Sequence, residues 1–408
     1  MSHRGCRFYE NLIDRPNERL DILDKNQTIR VELFQDIYQF ILKYTSVLLD
    51  HIETNDSDDD SVYTGTSGEI LAILKLKDFF SNFPGFNDSR LTKRINGALD
   101  RDYSIGRSKS YPSFLCGGTG PLVVNILLKT QKTESYSQKI YSYYTRGQEL
   151  IKDSSADEIL YGRAGYLYTI LFLKLQTSQV VPPELMNHVC KLILESGVSY
   201  TCEFPAPLCY TFHNSIYFGA AHGYVGILYM LLDPHVLSCP IITSNLLIIR
   251  QTADELFKNL FPSGNLPSSY PPRRDELVQW CHGGPGAIFL ALRCYKTFQD
   301  ESYHHFATKM AEDTWERGLL RKGSGLCHGV AGNAYAFLAI YNCTKNNKYL
   351  NYAFMFAKWI VQREEKFHLS ASRKYSLYEG LAGALYFLCD LYKPSQALFP
   401  GFQTLTDY

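Results

Sequence analysis

The chain carries no net charge, because Lys and Arg total 41 and so do Asp and Glu. Binding to nucleic acid needs a concentrated basic surface and is not expected. No apolar run is long enough to span a bilayer, which takes about 20 residues, so no transmembrane segment is expected. The N-terminus, MSHRGCRFYENLIDRPNERLD, is polar and lacks the apolar stretch of a secretory signal. Ser2 stands where myristoylation needs glycine. A cytoplasmic protein is the expectation, and sequons such as Asn26-Gln27-Thr28 then carry no meaning. Strand-and-turn signals are sparse. No Pro/Gly/Ser-rich linker divides the 408 residues, and with 45% hydrophobic and 14% aromatic content the core material is ample. Residues 1–408 are therefore expected to form a single domain.

Cysteine is present in an odd number, eleven, spread irregularly along the chain. In a reducing compartment such cysteines are expected to be free thiols or metal ligands rather than disulfides. Two of them recur in one pattern: W-C-H-G at 280–283 and L-C-H-G at 326–329, each just before an apolar stretch. Cys281, Cys327 and a histidine from one of the pairs would make a three-ligand metal site. Three protein ligands leave a fourth position open, the mark of a catalytic zinc. The plain alternative is two buried thiols in a helical core.

The pattern belongs to a larger repeat. G-x-x-G followed by an apolar segment occurs seven times, with first glycines at Gly65, Gly117, Gly162, Gly223, Gly283, Gly329 and Gly380 and second glycines at Gly68, Gly120, Gly165, Gly226, Gly286, Gly332 and Gly383. A period of this size suits two helices and their connections. After Gly329, the apolar residues Val330, Ala334, Phe337, Leu338 and Tyr341 fall at helical steps, as do Leu381, Ala384, Leu385 and Leu388 after Gly380. Residues 348–362 fit a partner helix. The expected fold is an all-α (α/α)7 toroid with seven inner and seven outer helices. Residues 1–60 would supply an N-terminal segment and the first outer helix, and residues 61–400 the repeats. The acidic run 55–61 reads as a solvated loop. Glycine suits tight turning and close backbone approach where seven helix starts converge. Repeats four, five and six would then bring His222, His282 and His328, with Cys281 and Cys327, to one rim.

The segments F-G-A-A-H-G, W-C-H-G-G-P-G, G-L-C-H-G-V-A-G-N-A-Y-A-F-L and Y-S-L-Y-E-G-L-A-G resemble those of the eukaryotic LanC-like proteins, relatives of the bacterial lanthionine cyclases. The resemblance runs from about Arg4 to the P-S-Q-A-L-F-P tail. It implies the (α/α)7 toroid with one zinc ion (Zn2+) at its centre, held by Cys281, Cys327 and His328, so that His282 is not a ligand. It implies glutathione as co-substrate, added to dehydroalanine or dehydrobutyrine residues of proteins or peptides. His222 is the implied acid/base, Lys322 and Arg4 the implied glutathione contacts, and Glu158 matches an acidic position of the bacterial active site. An arginine expected shortly before S-L-[FY]-E-G has its counterpart in Arg373 only through a gap, with Lys374 as a substitute point charge.

The chemistry needs such residues. A thiol attacks as thiolate, and free cysteine titrates near pH ~8.5. Zinc at an open position would deprotonate the glutathione sulfur. Cations such as Lys322 would steady enolate charge or anchor carboxylates, and His222 would protonate the α-carbon. The main reading is a zinc-dependent glutathione transferase. The alternative is a non-catalytic zinc- and glutathione-binding scaffold in signalling or redox regulation. A zinc prenyltransferase is disfavoured, since its ligand set includes an aspartate and one cysteine.

Overall fold

A computed structural model describes residues 6–17, 20–55, 57–101, 110–129, 147–149, 151–152, 155–177, 182–363 and 373–404. In chain order the helices are α1 (Val31–Thr54), α2 (Thr66–Asn82), α3 (Ser89–Asp100), α4 (Thr119–Lys129), α5 (Arg163–Thr177), α6 (Pro183–Ser199), α7 (Tyr224–Leu231), α8 (Pro240–Phe257), α9 (Gly284–Phe298), α10 (Glu301–Arg317), α11 (Val330–Thr344), α12 (Asn347–Gln362) and α13 (Leu381–Tyr392). Two-residue strands, β1 (Ile216–Tyr217) and β2 (Ser269–Tyr270), pair antiparallel.

Seven of these helices form a closed inner ring. α2 packs on α4, α4 on α5, α5 on α7, α7 on α9, α9 on α11, α11 on α13, and α13 returns to α2. All seven begin one or two residues after the first glycine of a G-x-x-G. The helices α1, α3, α6, α8, α10 and α12 lie outside. Most of the segment between α4 and α5 falls outside the described residues. The two layers differ as helices between two packed faces and helices with one wet face should. Every residue of α7 is buried, as is α11 from Val330 to Asn342. On α1, burial follows one stripe through Phe34, Ile37, Ile41, Leu48 and Ile52.

The layers also start differently. Side chains cap α3 (Asp88), α10 (Asp300) and α12 (Asn346). The inner helices start on bare glycine. In five of them an N–H of the first turn instead donates to a carbonyl of the preceding loop seven residues back, Thr66 to Asp59, Arg163 to Ala156, Val225 to Phe218, Val330 to Gly323 and Leu381 to Lys374, while on α9 the Gly284 N–H donates to the Asn265 side chain. The loop thus lies folded over its own helix start, which satisfies donors otherwise orphaned there. This close seat is why glycine recurs. A Cβ on Gly332 would stand 1.8 Å from the Leu326 carbonyl oxygen, and one on Gly68 2.1 Å from that of Val62.

The hollow of the ring is filled. The C-terminal tail places Phe399 and Phe402, both fully buried, against Trp280 and Phe289, and Thr404 donates to Asp233. Any site must therefore lie at the end where the inner helices begin. The N-terminal segment runs along the sixth repeat, with Tyr9 N–H on the Leu319 carbonyl, and reaches α13 through Ile29 N–H on Tyr392. The acidic loop is less solvated than its composition predicts: Asp60 and Ser61 are buried, and Ser67 donates to the Asp60 carbonyl.

One expectation is overturned. Cys202 and Cys209 form a disulfide, with their Cα atoms 6.0 Å apart. The connection from α6 doubles back within seven residues and brings them together. An odd cysteine count says nothing about such local proximity.

Candidate active site

The loops before the inner helices are stitched into a rim. Ala221 N–H donates to the Cys281 carbonyl, Cys281 to Cys327, Cys327 to Tyr378, Tyr378 to Tyr63, Tyr63 to Leu115, and Cys116 to Leu160. Six junctions between neighbouring loops are made this way. At the seventh, between Leu160 and Ala221, the Leu160 N–H turns to the Glu158 carboxylate at 2.9 Å, and Tyr161 N–H joins it at 2.6 Å.

On the stitched part of the rim, Cys281, Cys327 and His328 bring two sulfurs and a ring nitrogen within 4.8 Å of one another. The thiols are buried and the histidine half-buried. His282 does not belong to this group. Burial, together with hydrogen bonding to Cys281, holds the Cys327 thiol well above the ordinary cysteine range, and His328 opposes this. Two buried thiols this close cannot both ionise alone, whereas a divalent cation would take both as thiolates. The donor set therefore fits zinc, and it leaves the open position of a three-ligand centre. Gln279 Nε2 donates to Cys281 Sγ at 3.2 Å. Burial, with the Cys327 and Cys281 thiols beside it, raises the Tyr63 hydroxyl well above the usual tyrosine range. Inner-helix N-termini converge here, and their dipoles favour negative charge.

At the unstitched junction, His222 Nδ1 lies 3.0 Å from Glu158 Oε2, with the carboxylate almost fully buried. A carboxylate on Nδ1 sets the ring's orientation and leaves Nε2 free to act. Phe212 stacks flat on the His222 ring at 4.6 Å, and Tyr161 lies parallel at 6.1 Å. The His282 ring stands 6.3 Å from that of His222. Burial, then the positive charge of His222, Lys322 and His328, pushes His282 down to about 4. It is thus a neutral ring at neutral pH.

The surface divides into two spaces beside this rim. A cleft of about 880 Å³ opens at His222, lined mainly by residues of the third and fourth repeats, with Ser110 and Tyr111 of the second. A smaller pocket of about 240 Å³ is lined by Arg7, Glu276, Gln279, Leu320, Arg321 and Lys322. Lys322 is exposed there and near enough to act on His282. Arg373 and Lys374 stand exposed in the loop before α13, where their backbone carbonyls hold Ser376 and Leu381. Arg4 lies outside the described residues.

The sequence profile of the lanthionine synthetase C-like proteins matches residues 56–404. The chain belongs to the LanC-like family. Among curated LanC-like relatives, it is 34% identical over 394 residues to "Glutathione S-transferase LANCL1" of Danio rerio, covering 94% of this chain and 95% of that one. It is 31% identical over 364 residues to "LanC-like protein GCL1" of Arabidopsis thaliana, covering 85% and 81%. Among solved structures it resembles nisin cyclase, with a TM-score of 0.62 and 16% identity over 88% of this chain and 94% of that one. At that identity the likeness speaks for the toroid alone.

The repeat arithmetic brings Cys281, Cys327, His328, His282 and His222 to one rim of this LanC-like chain. Sequence reasoning passed over Gln279, Tyr63, Phe212, Arg7 and Arg321. Gln279 stands two residues before Cys281, and Tyr63 holds the position in its repeat that Cys327 holds in the sixth. The repeat register would have found Tyr63. Arg7 and Arg321 meet through a non-repeating contact, Arg321 N–H on the Arg7 carbonyl, and carry no signal.

Proposed function

We propose that this protein is a zinc-dependent transferase that adds the glutathione thiol to dehydroalanine or dehydrobutyrine residues of proteins or peptides. The observation that carries the reading is the pairing on one rim of a two-thiol, one-imidazole cluster with a carboxylate-held histidine. The kinship to a relative named a glutathione S-transferase supports the thiol donor.

Cys281, Cys327 and His328 would hold the zinc. When bound, it supplies acidification of a thiol at its open position. The two cysteine sulfurs offset the cation's charge, and Gln279 steadies one of them. Lys322 faces the acidic groups of glutathione, with Arg7 and Arg321 beside it in the small pocket. Arg4 and Arg373 are further contacts on the grounds of resemblance.

In the addition, a sulfur–carbon bond forms at the β-carbon of the dehydro residue as the carbon–carbon π bond breaks. The electron pair moves toward the α-carbon and its carbonyl; His222 Nε2 takes up the proton that the thiol releases and passes it to the α-carbon, which returns the ring to its starting state. Glu158 holds the other ring nitrogen, so the donating edge stays aimed at the cleft. The sum is thiol plus alkene giving thioether, with no redox partner.

The test is to incubate the zinc-loaded protein with glutathione and a dehydroalanine-containing peptide and to weigh the product by mass spectrometry. An adduct formed by the protein and lost in Cys327→Ala is the expected result. No adduct above the uncatalysed background, with glutathione still bound, would leave a non-catalytic scaffold.

A further inference from the structure

We propose that the cleft between the third and fourth repeats is the acceptor site, and that it takes an extended, largely uncharged polypeptide segment with the dehydro residue against His222. This rests on the transferase reading and adds to it where each reactant binds.

Three observations lead there. First, the cleft opens where the stitching of the rim fails. Every other loop junction is closed by a backbone hydrogen bond, but Leu160 gives its N–H to Glu158, and the third- and fourth-repeat loops stand apart around His222. Second, the two spaces differ in size. At about 880 Å³ the cleft stands near the top of the range for ligand sites, roughly 300–1,000 Å³. The pocket beside Lys322, about 240 Å³, suits only part of a small ligand. Third, they differ in charge. Among the described residues, the pocket sets Arg7, Arg321 and Lys322 against one acid, Glu276, which suits a tripeptide with two carboxylates. The cleft is lined, among the described residues, by one lysine, Lys152, and one acid, Asp157, with no arginine, and Asp157 is already held by Arg163 at 2.7 Å and Ser196 at 2.6 Å. Its walls are aromatic: Tyr111 meets Tyr161 edge-on at 5.1 Å, and Tyr161 and Phe212 flank His222. Aromatic walls grip backbone and side chains of a polypeptide without demanding a charge.

Two exposed tyrosines that line the cleft offer probe positions. Tyr200 is 62% exposed and Tyr111 49% exposed, so replacing either leaves the core intact. Each is replaced in turn by p-benzoylphenylalanine, with the exposed Arg321 of the small pocket as the comparison position. The full-length proteins are irradiated with a dehydroalanine-containing nonapeptide of small neutral flanking residues. Crosslinks to the peptide from positions 200 and 111, and not from 321, are expected. Crosslinks that favour 321, or none from 200 and 111, would overturn the assignment.

In turnover, Tyr200→Ala and Tyr111→Ala should each raise the KM for the peptide about three- to tenfold, the worth of one aromatic contact. They should leave the KM for glutathione unchanged and raise that for a free dehydroalanine amide, which has fewer groups to contact the wall, by clearly less than that for the peptide. Equal effects on peptide and amide would also overturn it. The two readings fail separately. Adduct formation without crosslinks from 200 or 111 leaves the transferase standing and removes this site. Crosslinks without any adduct keep the site and remove the transferase.

Discussion

Two arcs of the same rim are built from the same repeat and do opposite things. On the arc running from the fifth repeat through the seventh to the second, each loop donates a backbone hydrogen bond to the next, and the position two before the first glycine carries Cys281, Cys327, Tyr378 and Tyr63. Between the third and fourth repeats the same position carries Leu160 and Ala221, and the bond is missing. A buried N–H left without an acceptor costs about 1–3 kcal/mol. Glu158 removes that cost by accepting from Leu160 and Tyr161, and the same carboxylate holds His222. The closed arc fixes donor atoms rigidly, as a metal centre needs. The open junction sets the His222 ring beside a cleft. One glutamate makes the opening tolerable and orients the group that uses it.

The comparison breaks most completely at the closed arc. Cys327→Ala should abolish stoichiometric zinc, read by elemental analysis of the purified protein, and turnover with it. The open junction should fail differently. His222→Ala should keep its zinc and bind glutathione while kcat falls by about 10²–10⁴, the usual worth of a positioned acid or base. If zinc and kcat fell together in His222→Ala, the two arcs would not be separable as argued.

A smaller effect sharpens the role of the folded-back loops. Gly332→Ala drives a Cβ into the Leu326 backbone at 1.8 Å and should destabilise by about 2–4 kcal/mol, the range of severe single substitutions. Gly97, in the outer α3, is exposed, and a Cβ there meets nothing within 4 Å. Gly97→Ala should raise stability by about 0.5–1 kcal/mol through helix propensity. Thermal unfolding of the two variants checks both signs, and similar midpoints would mean that the loop seat yields.

The inner ring was legible because its constraint is local and repeated. A carbonyl pressed on each helix start excludes any Cβ, so glycine returns wherever an inner helix begins. The Cys281, Cys327 and His328 grouping was legible for the same reason, since equivalent repeat positions share one rim. What escaped notice depends on contacts that do not repeat. The Cys202–Cys209 disulfide arises in one connection. Phe212 reaches His222 from a hairpin in which Phe212 and Ser215 exchange backbone bonds across His213 and Asn214, both at positive φ. Among the described residues no other loop has that turn, and its residues give the linear sequence no period to betray it.

Gln279 is the finest test of the closed arc. Its amide is buried, at 8% exposure, and donates to the Cys281 sulfur at 3.2 Å. A donor on a ligating thiolate tempers its charge and fixes its direction, and loss of such a partner costs about 10–100-fold in metal affinity. Gln279→Met keeps the length of the side chain and removes the donor. Zinc affinity, measured by competition with a chelator, should fall about tenfold, at the low end of that range because the sulfur stays shielded from water. Thermal stability of the zinc-free protein should stay close to wild type, because the contact then joins only an amide and a neutral thiol. Unchanged zinc affinity would mean that backbone stitching alone, from Cys281 N–H to the Cys327 carbonyl, holds the ligands in place.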